Sequence, residues 1–321
     1  MEDFWFVVFE HLPSPRDFRE LGLTCKSAYI KLQRHKDKLF NSRHLERLLR
    51  LFPNKPWDMN ELSRNPNITW DFVQANPHLS WNAAELSRNP NITWEIVCQN
   101  PQLPWDYLFL SLNPNITFEI IQQNPMPLKV QPKNSKFEWS YNNYSANLSL
   151  TWDIVRQNPD KDWNVSLLSA NPKITWDIVQ QNKCLTHSWD YSWLSKNPCV
   201  TWDIVKNNLD KKWDYDWLSL NPNITWEIVQ GNSHLPWNYY CLSLNPNITW
   251  EIVQRNPDFG WNYGMLTQNP NITWEIIQKN PRHFASLDFS QNPNVTWDII
   301  QNNPDKCWDW SRLSQNTFSR T

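Results

Sequence analysis

The chain holds only 4 glycines in 321 residues. A loop that cradles phosphate needs several glycines at fixed offsets, so the Gly-rich nucleotide motifs are excluded. Long apolar runs are also missing. The stretch Met1 to Phe9 carries Glu2 and Asp3 where a signal peptide carries basic residues, and it is too short to span a membrane. An intracellular protein, cytoplasmic or nuclear, is the expectation. Charge of one sign is scarce: the formal net charge is −2, with 11 Lys or Arg against 7 Asp or Glu in residues 1–55 and 19 against 25 in the remainder. Neither part has the basic stripe that phosphate-driven nucleic-acid binding requires. The six cysteines (Cys25, Cys98, Cys184, Cys199, Cys241, Cys307) are scattered, which predicts free thiols in a reducing compartment. Cys184 and His187 stand three apart with no second pair at ligand spacing, so neither a metal nor a cofactor is expected.

What the chain does contain is a repeat. Thr-Trp-Glu or Thr-Trp-Asp, or a close variant, returns at Thr69, Thr93, Thr117, Thr151, Thr175, Thr201, Thr225, Thr249, Thr273 and Thr296, at intervals of 24, 24, 34, 24, 26, 24, 24, 24 and 23 residues. Of 23 tryptophans, 19 fall in this register. Such a period predicts stacked supersecondary units, each packing only on its neighbours, with residues 51–321 as the array and residues 1–50 as a separate helical head.

Each unit reads as two short helices. In Ile224-Thr225-Trp226-Glu227-Ile228-Val229, the threonine is a helix N-cap, Glu227 lies in the first turn where the helix dipole favours an anion, and Ile224 and Val229 occupy staple positions. This helix, called A, ends about two turns on at Asn-Pro, as at Asn76-Pro77, Asn100-Pro101 and Asn256-Pro257, because the residue before proline is driven from helical angles. Helix B opens on Trp-Asp or Trp-Asn, with a leucine five residues after the tryptophan, as in Trp213 and Leu218. Helices of about seven residues are unstable alone, so the recurring Trp, Ile, Val and Leu must form a shared core. The predicted fold is an all-α solenoid of about ten units. The match of Asn67-Ile68-Thr69 and its copies to the glycosylation acceptor is therefore read as capping rather than modification.

Several places depart from the pattern. The long interval carries an excess at Met126 to Lys136, expected to be an exposed loop. Helix B near Phe284 lacks Trp-Asp, and Asn316-Thr317-Phe318 reads as an unfinished helix A, a C-terminal cap.

The segment Asn221-Pro222-Asn223-Ile224-Thr225-Trp226 resembles the leucine-rich repeat variant family, whose short paired helices form a curved superhelix. It is also similar to the tryptophan-rich Asn-Pro-Asn-Ile-Thr-Trp repeats of proteins from large DNA viruses, a likeness that implies no activity. In the head, His11-Leu12-Pro13-Ser14-Pro15-Arg16-Asp17-Phe18 and Leu23-Thr24-Cys25-Lys26-Ser27-Ala28-Tyr29 resemble an F-box, although the family's opening Leu-Pro is missing. That resemblance implies docking on the Skp-type adaptor of a cullin-RING ubiquitin ligase through Phe4, Leu12, Pro13, Pro15, Asp17, Phe18, Leu23, Cys25 and Tyr29. The array would then capture a protein substrate.

Scattered histidines and first-turn acids offer no catalytic constellation, so a non-catalytic adaptor is expected. In a repeat array the varying positions are the candidates for recognition. Those following the helix B cap are Tyr107, Tyr191, Tyr215, Tyr239, Tyr263 and Trp310, which either bind a partner or fill the seam between units. Two other readings stand beside this one: a scaffold, viral or otherwise, whose head only caps the solenoid, and a single-stranded RNA binder, which the acidic array disfavours.

Overall fold

A computed structural model describes residues 45, 48–125, 138–182 and 189–318. The chain divides into two compact units, Met1–Pro53 and Asn54–Thr321. The proposed adaptor-binding residues of the head, from Phe4 to Tyr29, lie outside the described residues, as does the expected loop Met126 to Lys136. Within Asn54–Thr321 the fold is an all-α repeat array, with no strand among the described residues.

Ten A helices run from Trp70–Ala75 to Trp297–Asn302, each five or six residues long. Each follows a threonine in the extended conformation. At Thr69, Thr93, Thr117, Thr175, Thr249, Thr273 and Thr296 the hydroxyl accepts the N–H three residues on. The asparagine before proline does more than stop helix A. Asn76 Nδ2 donates to the Phe72 carbonyl at 2.8 Å, while its own carbonyl accepts the Trp81 indole N–H at 2.9 Å. Two orphan groups of the helix end are satisfied by residues the sequence already repeats.

Ten B helices run from Met59–Arg64 to Trp310–Gln315, capped by Asp or Asn and once by Ser140. At the place near Phe284 a short helix, Pro281–Phe284, stands instead, and Phe289 and Ser290 take the buried Leu and Ser places without a helix. There are thus eleven B positions.

Neighbouring units are joined by buried polar side chains. Ser63 Oγ donates to the Met59 carbonyl and accepts the N–H of Asn82 in the next unit. Asn89 Nδ2 donates back to the carbonyls of Ser63 and Asn65, at 2.8 and 3.0 Å. Asn113, Asn147, Asn171, Asn197, Asn221, Asn245, Asn269, Asn292 and Asn316 repeat this, and all are buried. Apolar packing runs beside it: the tryptophan that starts an A helix meets the tryptophan that starts the B helix two units along. Trp70 and Trp105, Trp202 and Trp237, and Trp226 and Trp261 have ring centroids 6.0, 5.7 and 5.3 Å apart.

The array closes on itself. Asp58 N–H donates to Ser314 Oγ, Asn65 Nδ2 donates to the carbonyls of Ser314 and Asn316 at 2.8 and 3.0 Å, and Asn67 Nδ2 donates to the Thr317 carbonyl at 2.7 Å. These are the bonds that Asn82, Asn89 and Asn91 make one unit further on, with the same distances to within 0.1 Å. Trp57 stands edge-on to Trp310 at 5.0 Å. The segment Asn316-Thr317-Phe318 is therefore no free cap. Phe318 occupies the register of Asn67, its N–H donates to Asn316 Oδ1 at 2.7 Å, and its ring is buried.

The two helix layers of this ring lie at different radii. Among the described residues, Met59–Arg64 packs closely on Ala83–Ser87 and on Trp310–Gln315, Ala83–Ser87 on Tyr107–Leu110, Val165–Ala170 on Tyr191–Leu194 and Tyr215–Leu220 on Tyr239–Leu242, whereas the closely packed pairs include no two A helices. In a closed ring the layer with the shorter unit-to-unit spacing is the inner one. Acids of the outer A helices, such as Asp153, Asp203, Glu251 and Glu275, are correspondingly well exposed.

Candidate protein-binding inner wall

Each B helix is a single turn or little more, so three of its faces can be assigned from its buried residues. In Ala83–Ser87 and its flank, Leu86 and Ser87 are buried toward the A layer. At 100° per residue, the positions opposite them are Ala84, Glu85 and Arg88. By this geometry the equivalents in the ten B helices point away from the A layer, toward the interior of the ring.

The tyrosines expected to bind a partner occupy the preceding position, the first of the helix. Tyr107 is buried and stands edge-on to Trp139 at 4.8 Å. Tyr191, Tyr215 and Tyr239 are half-buried and meet Trp213, Trp237 and Trp261 edge-on, at 5.2, 5.3 and 5.8 Å. Tyr263 stacks on His283 at 4.5 Å, and Trp310 meets Trp57. All six are placed in the seam between units. A first-turn side chain leans toward the helix N-terminus, where the next unit's tryptophan waits.

One and two positions further on lies the wall, where Ser166, Ser192 and Ser311 still donate to the helix B cap of the next unit and Asn143 donates to the Leu108 carbonyl of the unit before. The wall position two residues before the buried helix B serine (threonine in Gly264–Thr267) reads, from the first unit around, Glu61, Glu85, Phe109, Asn143, Leu167, Trp193, Trp217, Cys241, Met265, Asp288 and Arg312. Because the ring is closed, Asp288, Arg312, Glu61 and Glu85 form one continuous charged arc. The remaining seven form an uncharged arc with one polar member, Asn143. Leu112, Leu220, Tyr240 and Leu244 extend the apolar arc, and Trp217 and Tyr240 are 38% and 49% exposed.

The charged arc neutralises itself. Arg64 pairs with Glu61 and Arg88 with Glu85, while Arg312 Nη1 reaches Asp288 Oδ2 at 3.0 Å across units. The hydrogen bonds that Arg64 donates to the Glu61 carboxylate raise its guanidinium above its ordinary value. On the apolar arc, Lys196 lies over Trp193 at 3.9 Å and over Trp217 at 4.7 Å. Burial lowers the Lys196 ammonium, so the two indoles both hold and desolvate it. Burial, with Asp216 and Asp214 nearby, pushes up the Cys241 thiol. A thiol so placed is a weak nucleophile.

Trp193 and Trp217 escaped the sequence reading, although a signal was present. Along with Trp5 and Trp310 they are the only tryptophans outside the 24-residue register. A tryptophan that the repeat does not call for is a better recognition candidate than a variable residue beside one that it does.

A second concavity, about 740 Å³, opens where the helix B turn is missing, among Trp274, Phe284, Phe289, Lys306, Trp308 and Arg312. It is the space a regular unit fills. Among the described residues no group of three His, Cys, Asp or Glu could hold a metal ion, and no helix is long and apolar enough to cross a membrane. The chain matches no family model, no curated protein and no solved structure.

Proposed function

We propose that the protein is a non-catalytic adaptor whose ring holds a protein partner against its inner wall, while the F-box-like head recruits a Skp-type adaptor of a ubiquitin ligase. The observation that carries the first half is the pair Trp193 and Trp217. They are large, off-register and half-buried or exposed on the wall, where the repeat gives them no structural task. Such residues dominate protein interfaces because they bury much area at little entropic cost. The second half rests on the Leu12 to Tyr29 pattern.

A photo-crosslinking residue placed at Trp217, compared with one at Glu251 on the outer layer, tests the ring. Adducts with partner protein are expected from 217 and absent from 251; adducts from 251 alone, or equally from both, overturn the reading. For the head, co-purification with the adaptor should vanish when residues 12–29 are scrambled. Retention of the complex would remove that half.

A further inference from the structure

Building on that reading of the wall, we infer that the occupant of the ring is an amphipathic α-helix, seated with its apolar face on the Trp193–Met265 arc and its charged face toward Asp288, Arg312, Glu61 and Glu85. Width is the first argument. Eleven B positions at roughly 8–10 Å spacing set the helix axes on a circle about 30 Å across, and removing about half a helix diameter on each side leaves an opening of about 20 Å. A helix, about 10–12 Å across with its side chains, enters with room for water on its polar side.

The second argument is the division of the wall. One side offers Leu167, Trp193, Trp217, Tyr240, Leu244 and Met265, with only the opposite charges of Lys196 and Asp216 among them, and the other offers Asp288, Arg312, Glu61 with Arg64, and Glu85 with Arg88. Only because the first and last units join do Asp288 and Arg312 become neighbours of Glu61 and Glu85. That two-sided pattern complements a helix with one apolar face and one mixed-charge face. It does not suit nucleic acid. Arg64, Arg88, Lys196 and Arg312 are balanced on the wall by Glu61, Glu85, Asp216 and Asp288, leaving no net charge to meet phosphates.

The probe is a fluorescein-labelled 18-residue peptide, hydrocarbon-stapled as a helix, with leucines along one face and alternating Glu and Lys on the other. Its anisotropy is read against the full chain, with the same composition scrambled to abolish amphipathicity as a control. The amphipathic peptide should bind at least ten-fold more tightly than the control. Trp193→Ala with Trp217→Ala should lose at least ten-fold, with circular dichroism confirming an intact fold, and Glu251→Ala should change nothing. A further pair of peptides tests the orientation. Versions with an all-Lys or an all-Glu polar face should bind the native ring alike, whereas Arg64→Ala with Arg88→Ala should favour the all-Lys version several-fold. Equal binding of the scrambled peptide, or full binding by a folded double-tryptophan variant, would overturn the inference. Should crosslinks from position 217 persist in that case, the wall still binds protein and only the helical occupant is wrong.

Discussion

Each buried asparagine after a B helix ties its unit to the one before. Asn245 Nδ2 donates to the carbonyls of Ser219, Asn221 and Ile224, and its Oδ1 accepts the Asn247 N–H at 2.8 Å, all without solvent. Removing the amide strands several buried backbone groups at once, each costing about 1–3 kcal/mol. Asn245→Ala is therefore expected to lower stability by about 3 kcal/mol or more in urea unfolding, whereas Thr249→Ala, which removes one cap, should cost about 1 kcal/mol. A threonine such as Thr225, whose hydroxyl makes no cap bond, should cost less still.

Thiol chemistry at the same scale has a worked sign. Burial pushes the Cys199 thiol up to about 11, well above an unfolded cysteine. The folded state then holds its proton where the unfolded state has lost it, so this contribution is intact below pH ~8.5 and fades as pH rises toward the folded value. The stability difference between the native chain and Cys199→Ala should shrink between pH 8 and pH 11. A constant difference across that range in thermal melts would contradict the assignment.

At the scale of the element, no helix here could stand alone, since one turn does not offset the cost of nucleation. Capping, staples and the neighbour's tryptophan replace length. That logic was legible in the sequence: the threonine N-cap positions and the Ile and Val core positions fall where the spacing places them, because local rules set them, whereas helix A stops at asparagine even where no proline follows, at Asn182, Asn207 and Asn232. Two things were not legible. The asparagine of Asn-Pro-Asn reads locally as a helix stop, and its bonds to the previous unit are visible only once units are stacked. The tyrosines after the B cap could face the seam or a partner, and only the lean of a first-turn side chain onto the next tryptophan decides between them. The irregular place at Pro281–Phe284 gives an element-scale expectation. With no B helix and a cavity of about 740 Å³ beside it, residues 281–291 should exchange amide hydrogens faster than the equivalent segments at Tyr239–Leu242 or Tyr215–Leu220. Equal protection in hydrogen-exchange mass spectrometry would contradict that.

On the scale of the whole molecule, closure changes what kind of object the array is. An open solenoid has two ends that fray and need polar caps, and its stability is a sum over neighbours with two interfaces missing. Here the bonds of Asn65 to Ser314 and Asn316 supply the absent interface, and no unit in the ring is terminal. A 24-residue period cannot announce this, because curvature comes from a small rotation per unit that many sequences of the same period would set differently. The distinction is measurable through position. In an open array, a substitution at the first unit perturbs one interface at a fraying end and should cost little. In a ring, Asn65→Ala should cost as much as Asn245→Ala, and the pair should not be additive, since either cut alone opens the same circle. Aspartate 58 and serine 311, whose side chains meet at 3.3 Å, offer the converse experiment. Asp58→Cys with Ser311→Cys places two thiols across the join, and oxidation would tie a loop of some 250 residues, for which chain entropy allows a gain of up to about 5 kcal/mol. Oxidised protein should melt higher than reduced, and because the gain acts on the unfolded chain the bridge should offset the Asn65→Ala and Asn245→Ala losses alike. A bridge that fails to form under oxidising conditions, or forms without raising the melting temperature, would mean that the ends do not meet in solution.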